Sequence, residues 1–295
     1  MVSVLRDAGL SKLLAGDLER VADGFVFTEG PLWLPDGAVL VQDIKGERTH
    51  RIEPDGTVKV LRDHNRAANG QTFQADGRIV FCEQNGRRVS RMKPDGTGVE
   101  AAVEHFKGKR LNSPNDIVCR SDGTVYFTDP PYGVKPEDKE LPFNGVFALG
   151  KDGGMRLLVD DFEKPNGLAF SPDETTLYIN DTAHYQTRAF DVAPDGSLVA
   201  GSGRVFATQD PGEPGGPDGM KVDQDGRVYV AVALGVWVYE PDGRLLGILG
   251  TPKRPANLAW CGPEASTLFI TAVDAVHRIR LAVTGKLPPF TPRTP

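Results

Sequence analysis

Six oxygen-bearing side chains occupy equivalent points of a repeated sequence pattern. Each is followed, usually after a small residue, by an apolar run, an Asp-Gly type turn and a second apolar run. These six head residues are Glu29, Asn69, Asn115, Asn166, Asp218 and Asn257. Carboxylates and amide carbonyls are the ligands that a hard cation takes in proteins. Brought together at one point, the heads would bind a divalent metal ion.

A head residue could instead be a turn former, because Asn-Gly and Asp-Gly are common turn dipeptides. Each repeat, however, has a separate turn a few residues later, such as Asp36-Gly37 after Glu29, so the head is not needed for the turn. The six positions taken together favour a cation site. His and Cys, which Zn²⁺ prefers, are missing from them. We therefore expect one divalent cation, Ca²⁺ first, with Mg²⁺, Mn²⁺ or Zn²⁺ as alternatives.

The spacing of the heads predicts the fold that positions them. Successive heads lie 40, 46, 51, 52 and 39 residues apart, which is the length of a four-stranded propeller blade with variable loops. Second hairpins follow within the units, as at Pro54-Asp-Gly and Pro241-Asp-Gly. We predict an all-β, six-bladed β-propeller with four-stranded antiparallel blades.

The two ends of the chain supply the remaining elements of this prediction. The sixth unit is short, whereas a spare strand-like stretch, Leu18-Glu-Arg-Val-Ala, precedes the first. We expect this N-terminal strand to complete the last blade and close the ring. Residues 1–295 are then one domain, with 1–24 as the N-terminal segment and closing strand and 284–295 as a C-terminal tail.

Composition excludes several classes of function. The formal charge of -6 and the absence of a Lys/Arg cluster argue against nucleic-acid binding. No stretch approaches the length of a membrane span, and the charged N-terminus lacks an apolar signal-peptide core. We expect a cytoplasmic protein, of undetermined oligomeric state, that acts on a small molecule. Its three widely spaced cysteines, Cys82, Cys119 and Cys261, are expected to be buried and reduced.

Antiparallel pairing brings the end of each second strand back to the face on which the inner strand begins. The loops after the second strands are therefore expected to line a substrate pocket around the heads. The side chains that they offer are Asp43, Glu83, Gln84, Asp129, Tyr132, Asp181 and His184. Asp129 and Tyr132 are the preferred substrate contacts, whereas a lone histidine such as His184 is more often a surface or hydrogen-bonding residue.

Several longer motifs carry a resemblance to a known family. They are Phe27-Thr-Glu-Gly-Pro-Leu-Trp, Asn69-Gly-Gln-Thr-Phe, Lys109-Arg-Leu-Asn-Ser-Pro-Asn-Asp, Tyr126-Phe-Thr-Asp-Pro-Pro-Tyr-Gly, Pro165-Asn-Gly-Leu-Ala-Phe-Ser-Pro-Asp and Pro217-Asp-Gly-Met. From about Phe25 to Leu281, the chain resembles the SMP-30/gluconolactonase/luciferin-regenerating-enzyme family, especially bacterial gluconolactonase-type lactonases. Similar proteins often carry His after Phe81-Cys-Glu, where this chain has Gln84.

The resemblance implies which heads hold the metal. It selects Glu29, Asn115, Asn166 and Asp218 as ligands, and leaves Asn69 and Asn257 as channel-lining or substrate-contacting residues. It places Asp218 on the ion, facing the open mouth, as the leading candidate for the catalytic base, with Glu29 second. Asn115, Asn69, Asp129, Tyr132, His184 and Gln84 are the predicted substrate-binding residues.

The implied activity is metal-dependent hydrolysis of a sugar-type lactone. The ion would lower the pKa of bound water, polarise the lactone carbonyl and stabilise the oxyanion. An esterase or phosphotriesterase with a similar cation site is the first alternative. A binding propeller without catalysis is the second; it predicts six near-equivalent blades, whereas two heads here are acids and four are amides.

Overall fold

The computed structural model describes residues 3–292 and consists almost entirely of β-strands. In chain order the first half contains β1 (Ser3–Asp7), β2 (Glu19–Asp23), β3 (Thr28–Trp33), β4 (Val39–Asp43), β5 (Arg48–Ile52), β6 (Val58–Asp63), β7 (Ala68–Phe73), β8 (Ile79–Glu83), β9 (Arg88–Met92), β10 (Glu100–Val103), β11 (His105–Phe106), β12 (Lys109–Arg110), β13 (Ile117–Cys119) and β14 (Val125–Asp129). The second half contains β15 (Asn144–Leu149), β16 (Met155–Phe162), β17 (Pro165–Phe170), β18 (Thr176–Asp181), β19 (Gln186–Asp191), β20 (Arg204–Thr208), β21 (Met220–Val222), β22 (Val228–Val232), β23 (Gly235–Tyr239), β24 (Leu245–Gly250), β25 (Asn257–Cys261), β26 (Thr267–Ala272) and β27 (Ala275–Arg280).

These strands form the predicted six-bladed propeller. Blades 1 to 5 are the antiparallel sheets β3–β6, β7–β10, β13–β16, β17–β20 and β21–β24, and blade 6 contains β25–β27. Strands β3, β7, β13, β17, β21 and β25 are innermost, and each contacts the next around a closed ring. The Asp-Gly hairpins form as expected: Gly37 has φ +91°, a conformation that favours glycine, and its N–H donates to Leu34 O at 2.9 Å.

Within residues 3–292, helical structure consists of two 3₁₀ turns, Leu10–Leu13 and Pro136–Asp138. Neither is long and apolar enough to cross a membrane. The hydrophobic core lies between adjacent blades, where apolar side chains from neighbouring sheets interdigitate. All three cysteines are buried and free, as the sequence predicts.

The N-terminal strand closes the ring as predicted. Strand β2 pairs antiparallel with β27, with Ala22 opposite Val276. Ala22 is buried in a cluster with Trp33 of blade 1 and Val276 of blade 6, so the two ends of the chain share one core. Strand β1 was not predicted: it adds a fifth strand to blade 5 by pairing with β24.

The C-terminal segment covers one mouth of the central channel. The turns after the inner strands define this mouth, which we call the turn face. There Gln224 N donates to Thr284 O, and Lys286 N donates to Val222 O. The Lys286 ammonium also donates to Ser171 O and to Pro172 O. A cavity of about 70 Å³ lies beneath this segment, lined mainly by apolar side chains. The opposite mouth, where the inner strands begin, is the head face.

Ring closure makes a testable prediction about Ala22. Ala22→Asp places an unpaired carboxylate in the core shared by blades 1 and 6, so we expect the free energy of unfolding to fall by about 3 kcal/mol. Leu5→Asp on β1 is the matched control, because Leu5 is half exposed at the edge of blade 5; its effect should stay within about 0.5 kcal/mol. Urea unfolding measures both, and equal stabilities for the two variants would contradict the role of β2.

Candidate metal centre

The six head residues lie together at the head face of the channel. Glu29, Asn69, Asn166 and Asn257 are within the first two residues of an inner strand, and Asn115 and Asp218 precede one by two residues. The inner strands touch in sequence around the ring, so the heads converge on its axis. All six residues are buried, with relative exposures of Glu29 2%, Asn69 1%, Asn115 4%, Asn166 4%, Asp218 6% and Asn257 2%.

Four heads are followed by a glycine, and three of these glycines, Gly70, Gly167 and Gly219, hold neighbouring blades together. Gly167 N donates to Asp218 O at 3.0 Å, and Gly70 N donates to Asn115 O at 2.9 Å. A Cβ on Gly167 would overlap with Asp218 O, and one on Gly219 would overlap with the Asn257 amide. These glycines are thus required for close approach between blades rather than for a turn. The backbone contacts fix the spacing of the heads.

Three carboxylates are crowded at this point, namely Glu29, Asp218 and Asp116, of which the sequence reasoning missed Asp116. Burial raises the pKa of Glu29 well above its usual range, and the charges of Asp218 and Asp116 raise it further. Burial also raises the pKa of Asp218, against the opposing effect of Arg254. The pKa of Asp116 is raised by burial, against the opposing charge of Lys221. The site therefore has an excess of buried negative charge that a cation would stabilise.

The amide heads differ in what their oxygens contact. Asn166 Nδ2 donates to Thr182 Oγ1 at 3.0 Å and to Tyr132 Oη at 3.3 Å, which orients the amide and leaves its oxygen available. Asn69 Oδ1 is buried and has no hydrogen-bond partner within residues 3–292. Asn257 Oδ1 instead accepts hydrogen bonds from Leu258 N at 2.8 Å and from the Lys221 ammonium at 3.4 Å. Asn257 is accordingly the head least suited to bind an ion.

These residues fit a hard divalent cation. Glu29 and Asp218 supply charge, and the Asn166 amide is oriented with its oxygen available. Asp116 Oδ2, at the edge of the same cluster, is a further buried oxygen with no partner in the described residues. No group of three or more His, Cys, Asp and Glu side chains has metal-binding geometry between residues 3 and 292. A metal shell here must therefore combine carboxylates with neutral amide oxygens, which is typical of Ca²⁺ rather than Zn²⁺.

Two loop residues add polar groups beside the heads: Tyr132, in the loop after β14, and Arg254, in the loop between β24 and β25. Tyr132 is partly exposed, and its hydroxyl oxygen accepts a hydrogen bond from Asn166 Nδ2. Burial of the hydroxyl, and secondarily the charge of Asp218, raise the pKa of Tyr132 to about 12. Arg254 Nη2 donates to Asp218 Oδ2 at 3.1 Å. Sequence reasoning missed Arg254 because it lies in a loop outside the repeated pattern.

Three of the four acids that end a second strand, Asp43, Asp129 and Asp181, support the backbone instead of lining a pocket, whereas the fourth, Glu83, pairs with Arg88 at 2.6 Å. Asp129 is fully buried, and its carboxylate accepts from Asn112 N at 2.8 Å and from Ser113 N at 2.7 Å. Asp43 and Asp181 bind the backbone before Glu29 and Asn166 in the same way. These bonds argue against the predicted contact between Asp129 and substrate. They indicate that the acids hold the segments leading to the heads.

His184 also lies apart from the heads. Its Nδ1 is 2.8 Å from Asp181 Oδ2, a hydrogen bond that raises the pKa of His184, and its ring is half exposed beside Glu163. It borders a peripheral groove with Lys139 and Phe143. This position argues against a catalytic or substrate-binding role. Gln84 is nearly buried in the loop that packs against Gly133, next to Tyr132, and remains a predicted substrate contact.

Comparisons with known proteins agree with the motif resemblance. A family model described as the SMP-30/Gluconolactonase/LRE-like region matches residues 27–274. A gluconolactonase from Zymomonas mobilis is 33% identical, over 91% of this chain and 82% of its own. A pentonolactonase from Haloferax volcanii is 30% identical, over 88% and 92%. The structure of a gluconolactonase from Xanthomonas campestris superposes with a TM-score of 0.86 at 36% identity, covering 95% of this chain and 94% of its own.

The contact between Gly167 and Asp218 gives a testable prediction. In Gly167→Ala the new methyl group overlaps with Asp218 O, so we expect blades 4 and 5 to separate locally and the free energy of unfolding to fall by about 2 kcal/mol. Gly16→Ala is the matched control, because a Cβ there is 3.5 Å from the nearest atom of Arg280, an ordinary contact. Thermal unfolding by circular dichroism measures both. An unchanged melting temperature for Gly167→Ala would show that the blades tolerate wider spacing.

Proposed function

The chain belongs to the SMP-30/gluconolactonase/LRE-like family, and we propose that it opens sugar-type lactones by metal-assisted hydrolysis. The observation that carries the proposal is the buried pair of carboxylates Glu29 and Asp218, whose negative charges a cation would stabilise. Relatives in the family include gluconolactonases. Asn115 and Asn166 complete the proposed set of ligands.

We propose Ca²⁺ as the ion, with Mg²⁺, Mn²⁺ or Zn²⁺ as substitutes, because the available donors are carboxylate and amide oxygens. When bound, the ion supplies a Lewis acid for the lactone carbonyl and lowers the pKa of a bound water. Two carboxylates balance the charge of one divalent ion, and the two amides complete its shell without further repulsion.

Within this scheme the side chains of the protein hold substrate and move the proton. Asp218 is the proposed base, because it is the carboxylate head with the greater exposure, 6% against 2% for Glu29. Asn166 and Tyr132 are joined by a hydrogen bond and would orient the lactone ring. Asn69, with its unpaired buried oxygen, is the proposed acceptor for a sugar hydroxyl. Gln84, whose backbone lies beside Gly133, is a further proposed substrate contact next to Tyr132.

Two ligand substitutions test the proposal. In Asp218→Asn the shell loses a charge, and in Asn166→Ala it loses an oriented oxygen. We expect calorimetric Ca²⁺ affinity to fall on the order of 100-fold in each and hydrolysis of glucono-δ-lactone to fall about 1000-fold. Chelation of the wild type should abolish hydrolysis, and Ca²⁺ should restore it.

His184→Ala is the control, because the imidazole contacts Asp181 and Glu163 rather than the heads. Its Ca²⁺ affinity and its rate of lactone hydrolysis should stay within about threefold of the wild-type values. An aryl ester and a phosphotriester are assayed in parallel to separate lactonase from the related hydrolase activities. Full lactone hydrolysis by both ligand variants, with folding verified by circular dichroism, would refute the site. Preference for the phosphotriester would refute the substrate class.

A further inference from the structure

We infer that Arg254 is a catalytic residue that binds the carbonyl oxygen of the substrate as it becomes an oxyanion, and then the carboxylate of the product. This inference rests on the proposed lactone hydrolysis and adds a residue from outside the repeated pattern. Arg254 lies in the loop between β24 and β25. Among the residues that the structure describes, Arg254 is the one whose cationic group directly contacts the Asp218 carboxylate, with Nη2 3.1 Å from Oδ2.

The loop holds Arg254 in place. Pro252 and Pro255 restrict the backbone on either side of it. Thr251 Oγ1 donates to Lys253 O at 2.8 Å, and Ala256 O accepts a hydrogen bond from Gly219 N, the residue after Asp218. The stem of Arg254 runs across Gly215, where a side chain would meet it. The guanidinium is thus positioned before substrate arrives, as electrostatic catalysis requires.

Most of the guanidinium is free to bind substrate. A guanidinium has five N–H donors, and the bond from Nη2 to Asp218 uses one of them. In the described part of the chain the other donors have no protein acceptor, and the side chain is 39% exposed. The charge of Arg254 also lowers the pKa of Tyr132, against the effect of burial, which places it near the Tyr132 hydroxyl. Asp218, which Arg254 contacts, is linked to the Asn166–Tyr132 pair, because Gly167 N donates to Asp218 O and Thr182 Oγ1 joins Asn166 Nδ2 to Pro217 O.

The charge balance of the site favours an anion at this point. Glu29, Asp116 and Asp218 carry three negative charges when ionised, while Lys221 and Arg254 carry two positive ones. With a bound divalent cation the cluster would have a net positive charge of one. Lys221 is engaged with Met220 O and Asn257 Oδ1 inside the channel. Arg254 is therefore the cation placed to meet an anionic transition state.

The reaction step shows where this charge acts. Attack of the water oxygen forms a bond to the carbonyl carbon and moves the π electron pair onto the carbonyl oxygen. Asp218, the proposed base, accepts one proton from this water; collapse of the oxyanion then breaks the bond to the ring oxygen, which receives that proton from Asp218. The resulting hydroxy acid releases its carboxyl proton to solvent. Arg254 stabilises the oxyanion more than the neutral carbonyl, which is the condition for accelerating the step.

The test compares Arg254→Gln, Arg254→Lys and Arg254→Ala with Lys253→Gln, which removes the same charge from the same loop but from a side chain bound to Asp274. We expect kcat/KM for glucono-δ-lactone to fall about 100-fold in Arg254→Gln, with partial activity in Arg254→Lys. Millimolar guanidinium should restore activity to Arg254→Ala. Inhibition by gluconate should weaken about tenfold in Arg254→Gln. Lys253→Gln should match the wild type.

Calcium calorimetry separates a direct role from support of Asp218. Ca²⁺ affinity of Arg254→Gln should equal or exceed that of the wild type, because a positive charge beside the site has been removed. Loss of Ca²⁺ affinity in parallel with activity would overturn the inference, as would kcat/KM within threefold of wild type. In both cases wild-type hydrolysis leaves the proposed function intact. If the wild-type protein does not hydrolyse the lactone, the proposed function is refuted, and this inference is refuted with it.

Discussion

Repulsion between buried carboxylates at the centre of the ring is the constraint on which the site depends. Glu29 and Asp218 come from different blades, and rigid inner strands bring them together with Asp116 in a place with little solvent. Ionised carboxylates in such surroundings are costly unless a positive charge faces them. Lys221 and Arg254 supply part of that charge from the chain. The negative charge that these two side chains leave unbalanced is the physical basis for proposing a divalent cation.

The fold was predictable because its signals are local and repeated. Each Asp-Gly hairpin sets a strand pair, and the recurrence of a head residue at the start of every inner strand, or just before it, gave the number of blades. The closing strand β2 followed from an unpaired strand-like stretch at the N-terminus. Strand β1 has no such signal, because blade 5 already has four strands of its own and β1 adds a fifth. The covering of the turn face by Lys286 and its neighbours depends on tertiary contacts alone.

The site was predictable at its repeated positions and not elsewhere. Head residues were found because six copies could be compared, and the family resemblance then selected four of them. Asp129 was assigned to substrate because a loop acid and a backbone-binding acid look alike in sequence; its two bonds to Asn112 and Ser113 become visible only in three dimensions. Arg254 was missed for a different reason, because it lies before the point at which the repeated pattern begins and its partner Asp218 is 36 residues away.

The most direct test of a cation on the propeller axis is a crystal of the protein soaked in CaCl₂, with a second crystal soaked in MnCl₂ for anomalous diffraction. We expect one peak on the axis at the head face, with oxygen atoms of Glu29, Asn115, Asn166 and Asp218 at about 2.3–2.6 Å for Ca²⁺. A well-ordered map in which these side chains stand apart with no peak between them, or in which the peak lies elsewhere, contradicts it.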